Sequence, residues 1–308
     1  MEKAIQIVLH ILPKEIDELE RLCDQLHRGS FYLLPEDKVI LDVTLNLSDK
    51  ITDWKNSKIP KEFFIEKFNG IKLRADWTHK NLFEINDTDY CLGCNDKRRN
   101  SIRNHADQVS HILYLDPDVS APIFALPYLF RSIENIKNEY YLVTAQIVKM
   151  WDNSWDPIVN SRYIDRRCDE HMYKEFDPYI IDKEFLDNSN VNVKQLDTFK
   201  FGGGWTYNLF SSNLLKFIDI PDELGPYGLD DTFVFQCAMM MAQKGYDVRQ
   251  YVMENMLVCE NRRYKDVIKS NPYTKLLTNK MTDEEKQRFT KNYHEHYQSC
   301  INRFVSKL

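Results

Sequence analysis

The residues best suited to do chemistry are acidic and come in pairs. Asp116 and Asp118 close the stretch His111-Ile-Leu-Tyr-Leu-Asp-Pro-Asp-Val119, in which an apolar run delivers two carboxylates at its C-terminal end. In an extended chain a spacing of two points both side chains to one side, and Pro117 narrows the backbone freedom between them. Two hard oxygen donors of this kind suit Mn²⁺ or Mg²⁺, which keep coordination positions open for phosphate oxygens. The plain alternative is a strand-ending turn, for which Asp and Pro are common residues. A second pair, Asp230-Asp231, precedes an apolar segment of helical character. A carboxylate there could take a proton from a hydroxyl, or simply cap the helix and meet its dipole. Asp87-Thr88-Asp89 repeats the first spacing but follows a mixed polar segment, so no buried strand aims it.

Other groups could hold a ligand beside these carboxylates. Arg99 and Asn100 lie in a basic stretch from Asp96 to Gln108, and an arginine near a phosphate would stabilise departing negative charge. The alternative is a solvated basic face carrying Lys97, Arg98 and Arg103. Gly202, Gly203 and Gly204 allow close backbone approach, and Trp205 after them offers an apolar face to a ring. Trp151 and Trp155 add aromatic surface in a polar loop, although tryptophan is as often core. Cys91-Leu-Gly-Cys94 has no second CxxC, and His105 and His111 stand at no zinc spacing, so the two thiols read as flanking a turn. Met239 to Met241 read as core filling.

Strands and helices must position these groups, and the composition allows them. The 308 residues are 43% hydrophobic, ample for a buried core, and the 29% charged fraction with a net charge of -6 gives no global attraction to nucleic acid or anionic lipid. No apolar run approaches the roughly 18 to 20 residues of a membrane span, and seven scattered cysteines fit a reducing compartment, so a cytoplasmic protein is expected. Periodicity predicts a strand at Ile5 to His10, a helix at Glu15 to Leu26 and a strand at Val39 to Leu47. The segment to about Lys97 reads as polar. A buried strand then runs from Ile112 to Leu115, and another from Tyr140 to Met150. Asp152 to Asp197 carries little periodicity and is expected to be a substrate-side insertion or lid. Asn213 should cap a short helix through Phe217, and Thr232 to Lys244 should form an apolar helix ended by Gly245. A strand or two over Tyr246 to Val258 and an amphipathic helix over Thr282 to Leu308 complete the expectation.

In the order and spacing of these motifs the chain resembles the inverting GT-A glycosyltransferases, the family 2-like nucleotide-sugar transferases. An Arg-Asn helix, an apolar strand ending in DxD, a glycine-rich strand and an acidic pair opening a helix follow one another in both. The resemblance implies an α/β fold with a GT-A-like mixed, mostly parallel sheet flanked by helices and a helical C-terminal tail. It implies a catalytic domain over 1–265, with a donor half at 1–120 and an acceptor half at 121–265, and a tail at 266–308. Asp116 and Asp118 would then hold Mn²⁺ or Mg²⁺ and, with Arg99 and Asn100, a nucleotide-sugar donor, a UDP-sugar by this likeness. Asp231 would be the general base, while Asp230, Gly203, Gly204, Trp205, Trp151 and Trp155 would line the substrate. A third metal ligand has no clear counterpart: Cys259 and Glu260 lie near where it would be sought, whereas His294 and His296, two apart on a helix, cannot share one site. The acceptor is open among a glycan, a lipid-linked glycan, a protein and a modified nucleic acid. Two alternatives stand. A nucleotidyltransferase acting on a sugar phosphate would need a glycine-rich phosphate loop after the first strand, and His10-Ile-Leu-Pro-Lys14 has no glycine. A non-catalytic glycan-binding protein would use the tryptophans and glycines alone.

Overall fold

A computed structural model describes residues 3–49, 52, 54–90, 92–134, 136–149, 192–200, 207–226, 228–260 and 295–308. The chain opens with β1 (Ala4–Ile11), α1 (Ile16–Ser30), β2 (Lys38–Asn46), α2 (Lys61–Arg74), β3 (Lys80–Asn86), α3 (Cys94–His105) and β4 (His111–Leu115). β5 (Val119–Ser120), α4 (Ala125–Glu134), β6 (Tyr140–Lys149) and β7 (Val193–Gln195) follow. Last come β8 (Tyr207–Ser211), α5 (Ser212–Ile218), α6 (Asp230–Gln243) and β9 (Val248–Glu260). Among the described residues these strands form one sheet in the order β3-β2-β1-β4-β8-β6-β9-β5, with β7 also on β9. β1, β2, β3, β4, β6 and β9 run one way, and β5, β7 and β8 run against them. The fold is therefore α/β with a mixed, mostly parallel sheet.

Both faces of the sheet are covered, which is why β1 and β2 read as continuous apolar runs. Ile5, Ile7, Leu9 and Ile11 of β1 join the core shared with α1, α2 and α4. Ala4 and Val8 face the other way, toward α3, α5, α6 and the C-terminal helical residues. Each such aliphatic side chain contributes about 1.5–3 kcal/mol by leaving water. α1 buries Ile16, Leu19, Leu22, Cys23 and Leu26, the spacing of a single helical face. In the tail, residues 295–305 are helical, and Cys300, Ile301 and Phe304 are buried in the second core. Arg303 fixes that helix by donating from both terminal nitrogens to the carboxylate of Glu223, at 2.6 and 3.0 Å.

Several expectations need correction. The segment read as polar before Lys97 contains α2 and β3: α2 buries only Phe64, Phe68 and Ile71, too narrow a stripe among charges to stand out. α4 is a further helix that the expectation does not include. Ser211 rather than Asn213 caps α5, its side chain accepting from the Leu214 amide, because the helix already begins at Ser212. α6 begins at Asp230 itself, and Gly245, at φ +90°, lies just beyond its end. Most of Asp152 to Asp197 lies outside the described residues; 193–195 form β7.

Candidate functional site

β2 and β3 lie on one side of β1 and β4 on the other, so successive connections part between β1 and β4. Ligands of open α/β sheets bind at the carboxyl ends of strands at such a reversal. Asp116 stands there, directly after β4, and Asp118 leads into the short β5. Both are partly exposed. The stretch is an extended strand leading into a two-residue turn, so the sequence expectation of a carboxylate pair at a strand end and the turn alternative describe one feature.

α3 organises the rest. Its sequence, Cys-Asn-Asp-Lys-Arg-Arg-Asn-Ser-Ile-Arg-Asn-His, is strongly polar, yet Asn95, Asp96, Lys97, Arg98 and Arg99 are all buried. The sheet supplies the reason: the side of β1 and β2 facing α3 carries Gln6, His10 and Asp42. Lys97 pairs with Asp42, whose other oxygen accepts from Gln6 Nε2 at 2.8 Å. His10 Nε2 bonds the Leu92 carbonyl at 2.9 Å, and the Asn46 amide donates to the same oxygen, which fixes the chain entering α3. Burial, with Arg98 and Lys97 nearby, pushes the His10 pKa down to about 4, against the upward pull of the Leu92 bond. Asp96 turns back to accept from the Gly93 amide at 2.9 Å and so anchors the helix start.

Arg98 joins the two acidic pairs. Its Nη2 donates to Asp116 Oδ1 at 3.2 Å and its Nη1 to Asp230 Oδ2 at 2.9 Å, while its guanidinium lies 5.9 Å from the Tyr114 ring centre. Burial opposes its charge, but the Asp230 carboxylate, with Asp116, outweighs burial and holds it firmly protonated. Cys94, beside the same groups, is pushed up to about 11 mainly by burial, despite Arg98. The thiol is thus neutral near pH 7.

The helix start at Asp230 is set by backbone contacts rather than by a cap. Leu229, at φ 51°, precedes α6 and offers no side-chain bond. The approach from 219 to 229 is held by α3: Asn95 N donates to Pro226 O and its Nδ2 to Gly228 O, both at 3.0 Å. A side chain on Gly93 would overlap the Pro226 carbonyl. Asp230 is buried against Arg98. Asp231, the second residue of α6, takes the Thr232 amide at 2.6 Å and the Thr232 hydroxyl at 3.2 Å on Oδ1. Burial and then the Asp230 charge raise its pKa, against the downward pull of the Thr232 amide bond. Asp231 is not an N-cap, but it lies in the first turn of α6, where a carboxylate meets the helix dipole.

The structure treats the remaining expected residues unevenly. The Arg99 guanidinium bonds the carbonyls of Ile220 (2.9 Å), Pro221 (2.8 Å) and Gly225 (3.3 Å) and the Asp96 carboxylate (2.8 Å), tying α3 to the approach to α6. Asn100 is exposed, and two residues from Arg98 it projects about 200° around the helix from it. Asp230, expected to line the substrate, is instead the buried partner of Arg98. Gly203, Gly204, Trp205, Trp151, Trp155 and Cys91 lie outside the described residues. Sequence reasoning missed Arg98, His10, Lys97 and Asp42. The available signal was the i, i+2 placement of Gln6, Val8 and His10, which puts polar groups on one face of a buried strand.

A divalent cation fits the pair at Asp116 and Asp118 by the chemistry of the donors. Both are hard carboxylates, partly exposed, at a strand end. Among the described residues no three His, Cys, Asp or Glu side chains converge as a cage. Two carboxylates would leave the remaining positions of Mg²⁺ or Mn²⁺ to phosphate and water oxygens. The backbone also brings alongside the segment near which a third ligand is expected, since Glu260 pairs with Val119 and Cys259 with Ser120.

No protein-family model matches the chain, and no curated protein sequence matches it. Among solved structures it is similar to S. aureus TarS 1–349, at 13% identity and TM-score 0.43, over 96% of this chain and 72% of that one. The same protein in complex with UDP-GlcNAc aligns at 13% identity and TM-score 0.42, over 96% and 73%. A mycobacterial protein aligns at 13% identity and TM-score 0.43, over 85% and 68%. Superpositions this loose leave function to the residues themselves. Among the described residues no helix is long and apolar enough to cross a membrane.

Proposed function

We propose that this chain is a metal-dependent glycosyltransferase that moves a sugar from a nucleoside-diphosphate donor, a UDP-sugar by the motif resemblance, to an acceptor hydroxyl with inversion. The observation that supports this reading best is the Arg98 bridge, which ties the strand-end carboxylate Asp116 to Asp230 and so joins both acidic pairs in one site.

Asp116 and Asp118 are the residues that would hold a divalent cation, which when bound would neutralise charge on the donor diphosphate. Arg98 acts on the protein side, where its hydrogen bond fixes the orientation of the Asp116 carboxylate. Asp231 takes the proton of the acceptor hydroxyl. A carboxyl lifted by burial is better matched to that task than one in water, because proton transfer is most effective when the base's pKa approaches the working pH. The hydroxyl oxygen attacks the anomeric carbon, the bond from that carbon to the diphosphate oxygen breaks, and the electron pair leaves with the diphosphate. Attack from the face opposite the leaving group inverts the centre. Holding both reactants in line supplies much of the acceleration.

The test is incubation of the protein with Mn²⁺ and a panel of nucleotide sugars, following released nucleoside diphosphate. Release from one donor, abolished by EDTA, is the expected result. Pyrophosphate release from a nucleoside triphosphate and a sugar phosphate would instead make the chain a nucleotidyltransferase. Release of neither, with glycan binding retained, would make it a binding protein.

A further inference from the structure

α6 carries more than the acidic pair. On the face that begins at Thr232, directly after Asp231, the side chains of Thr232, Phe235, Gln236 and Met239 line a cleft of about 190 Å³, closed opposite by Phe199 and Lys200. These helix positions are spaced three and four apart, so they form one continuous stripe. Phe199 and Met239 also line a second space of about 350 Å³, whose other walls are Leu196, Ala242 and Val248 with the polar Asp197, Thr198, Gln243, Arg249 and Gln250. Together the two spaces reach the size of small-molecule sites, roughly 300–1,000 Å³. From Thr232 to Gln243 the helix rises about 16 Å.

The far wall is held in place. Gln250, itself buried, accepts from the Lys200 amide at 2.7 Å and donates to the Lys200 carbonyl at 2.8 Å, as a neighbouring strand would. Leu196 N also bonds the Gln250 carbonyl at 2.9 Å. Gln236 Oε1 accepts from the Tyr297 hydroxyl, and Phe199, Phe235 and Met239 supply the apolar wall of the cleft. At the mouth, Thr232 hydrogen-bonds the Asp231 carboxylate.

From the apolar wall of this cleft and the bond from its Thr232 to the Asp231 carboxylate we infer that the cleft along α6 is an acceptor subsite for an alkyl or acyl chain, its polar headgroup carrying the reactive hydroxyl at Asp231. The inference rests on Asp231 as the base. Against Phe199, Phe235 and Met239 an alkyl chain is better accommodated than sugar hydroxyls, which those side chains cannot hydrogen-bond.

Binding of n-octyl β-D-glucoside below its micelle concentration, compared with methyl β-D-glucoside by calorimetry, tests the cleft independently of the reaction. Octyl glucoside should bind at least about tenfold more tightly, since each buried methylene favours binding. Met239→Gln and Phe199→Ser, on opposite walls, should each remove most of that gain while leaving Mn²⁺–UDP affinity and the melting temperature as in wild type. Equal binding of the two glucosides, or a chain-length gain that survives in both variants, overturns the subsite. Once a donor is known, octyl glucoside should accelerate nucleoside diphosphate release in wild type and not in Asp231→Asn. Tight octyl glucoside binding without such acceleration overturns the acceptor assignment, and failure of Mn²⁺–UDP to bind at all overturns the glycosyltransferase reading while the chain-length result still judges the cleft.

Discussion

The two acidic pairs share an arginine and differ in nearly everything else. Asp116 and Asp118 follow a five-residue strand and stay partly open to solvent. Asp230 and Asp231 open a helix, with Asp230 sealed against Arg98 and Asp231 raised in pKa by burial. An open pair of carboxylates is suited to gather charge from outside, as a cation or a diphosphate does. Asp231 is suited to a proton, because desolvation raises its affinity for H⁺. Arg98 lets both exist side by side: it compensates Asp230 internally and leaves the outer pair with net negative charge.

The sharpest way to break this comparison is to remove the shared cation. Arg98→Met leaves Asp230 buried without its partner, and loss of one member of a buried pair costs about 3–5 kcal/mol. The expected drop in melting temperature is about 10 °C, with loss of both nucleotide binding and turnover. An unchanged melting temperature would mean the pair is solvated and the bridge incidental.

Single carboxylates should then separate the two roles. Asp231→Asn should lower turnover by roughly 10²- to 10⁴-fold with nucleotide affinity and stability retained, because the amide oxygen can still accept from Thr232. Asp118→Asn should weaken Mn²⁺-dependent nucleotide binding and turnover together. Titration calorimetry, initial rates and thermal melts on both variants decide the matter, and identical phenotypes would dissolve the distinction. The wild-type rate should also fall on the acid side at a pH above the ordinary aspartate range, as Asp231 becomes protonated.

Gly93→Ala probes the same contrast through the backbone. A methyl there must push Pro226, and with it the approach to Asp230, while leaving β4 and Asp116 untouched. The expected cost is about 1–3 kcal/mol, with turnover impaired more than nucleotide affinity. Equal loss of both would show that α3 positions the strand-end pair as well.

The smallest effect concerns pH and stability. His10, half-buried, and His111, buried, have pKa values pushed down to about 4 from 6.5 by desolvation. A depressed folded-state value means stability fully present above pH 6.5 and lost as pH falls through that range toward 4. For each histidine the loss at pH 5 is roughly 2 kcal/mol. Denaturant titrations at pH 7 and pH 5 should show it, and His10→Gln should flatten part of the difference.

Much of the sheet is legible in the sequence: β1, β2, β4 and β6 announce themselves as apolar runs, and both acidic pairs stand at the ends of apolar elements. β3 at the sheet edge and α2 with its narrow stripe do not, because half-exposed elements carry a diluted pattern. The local sequence therefore determined where carboxylates leave strands and enter helices, since apolar periodicity and chain direction fix that much. It could not determine which arginine faces them. α3 has no apolar stripe to declare its buried side, so the choice between Arg98 and Arg99 was made by Asp116, Asp230 and the carbonyls of Ile220, Pro221 and Gly225, all distant in the chain. A polar helix is oriented by the partners that offset the burial of its charges, and only the tertiary structure brings those partners together.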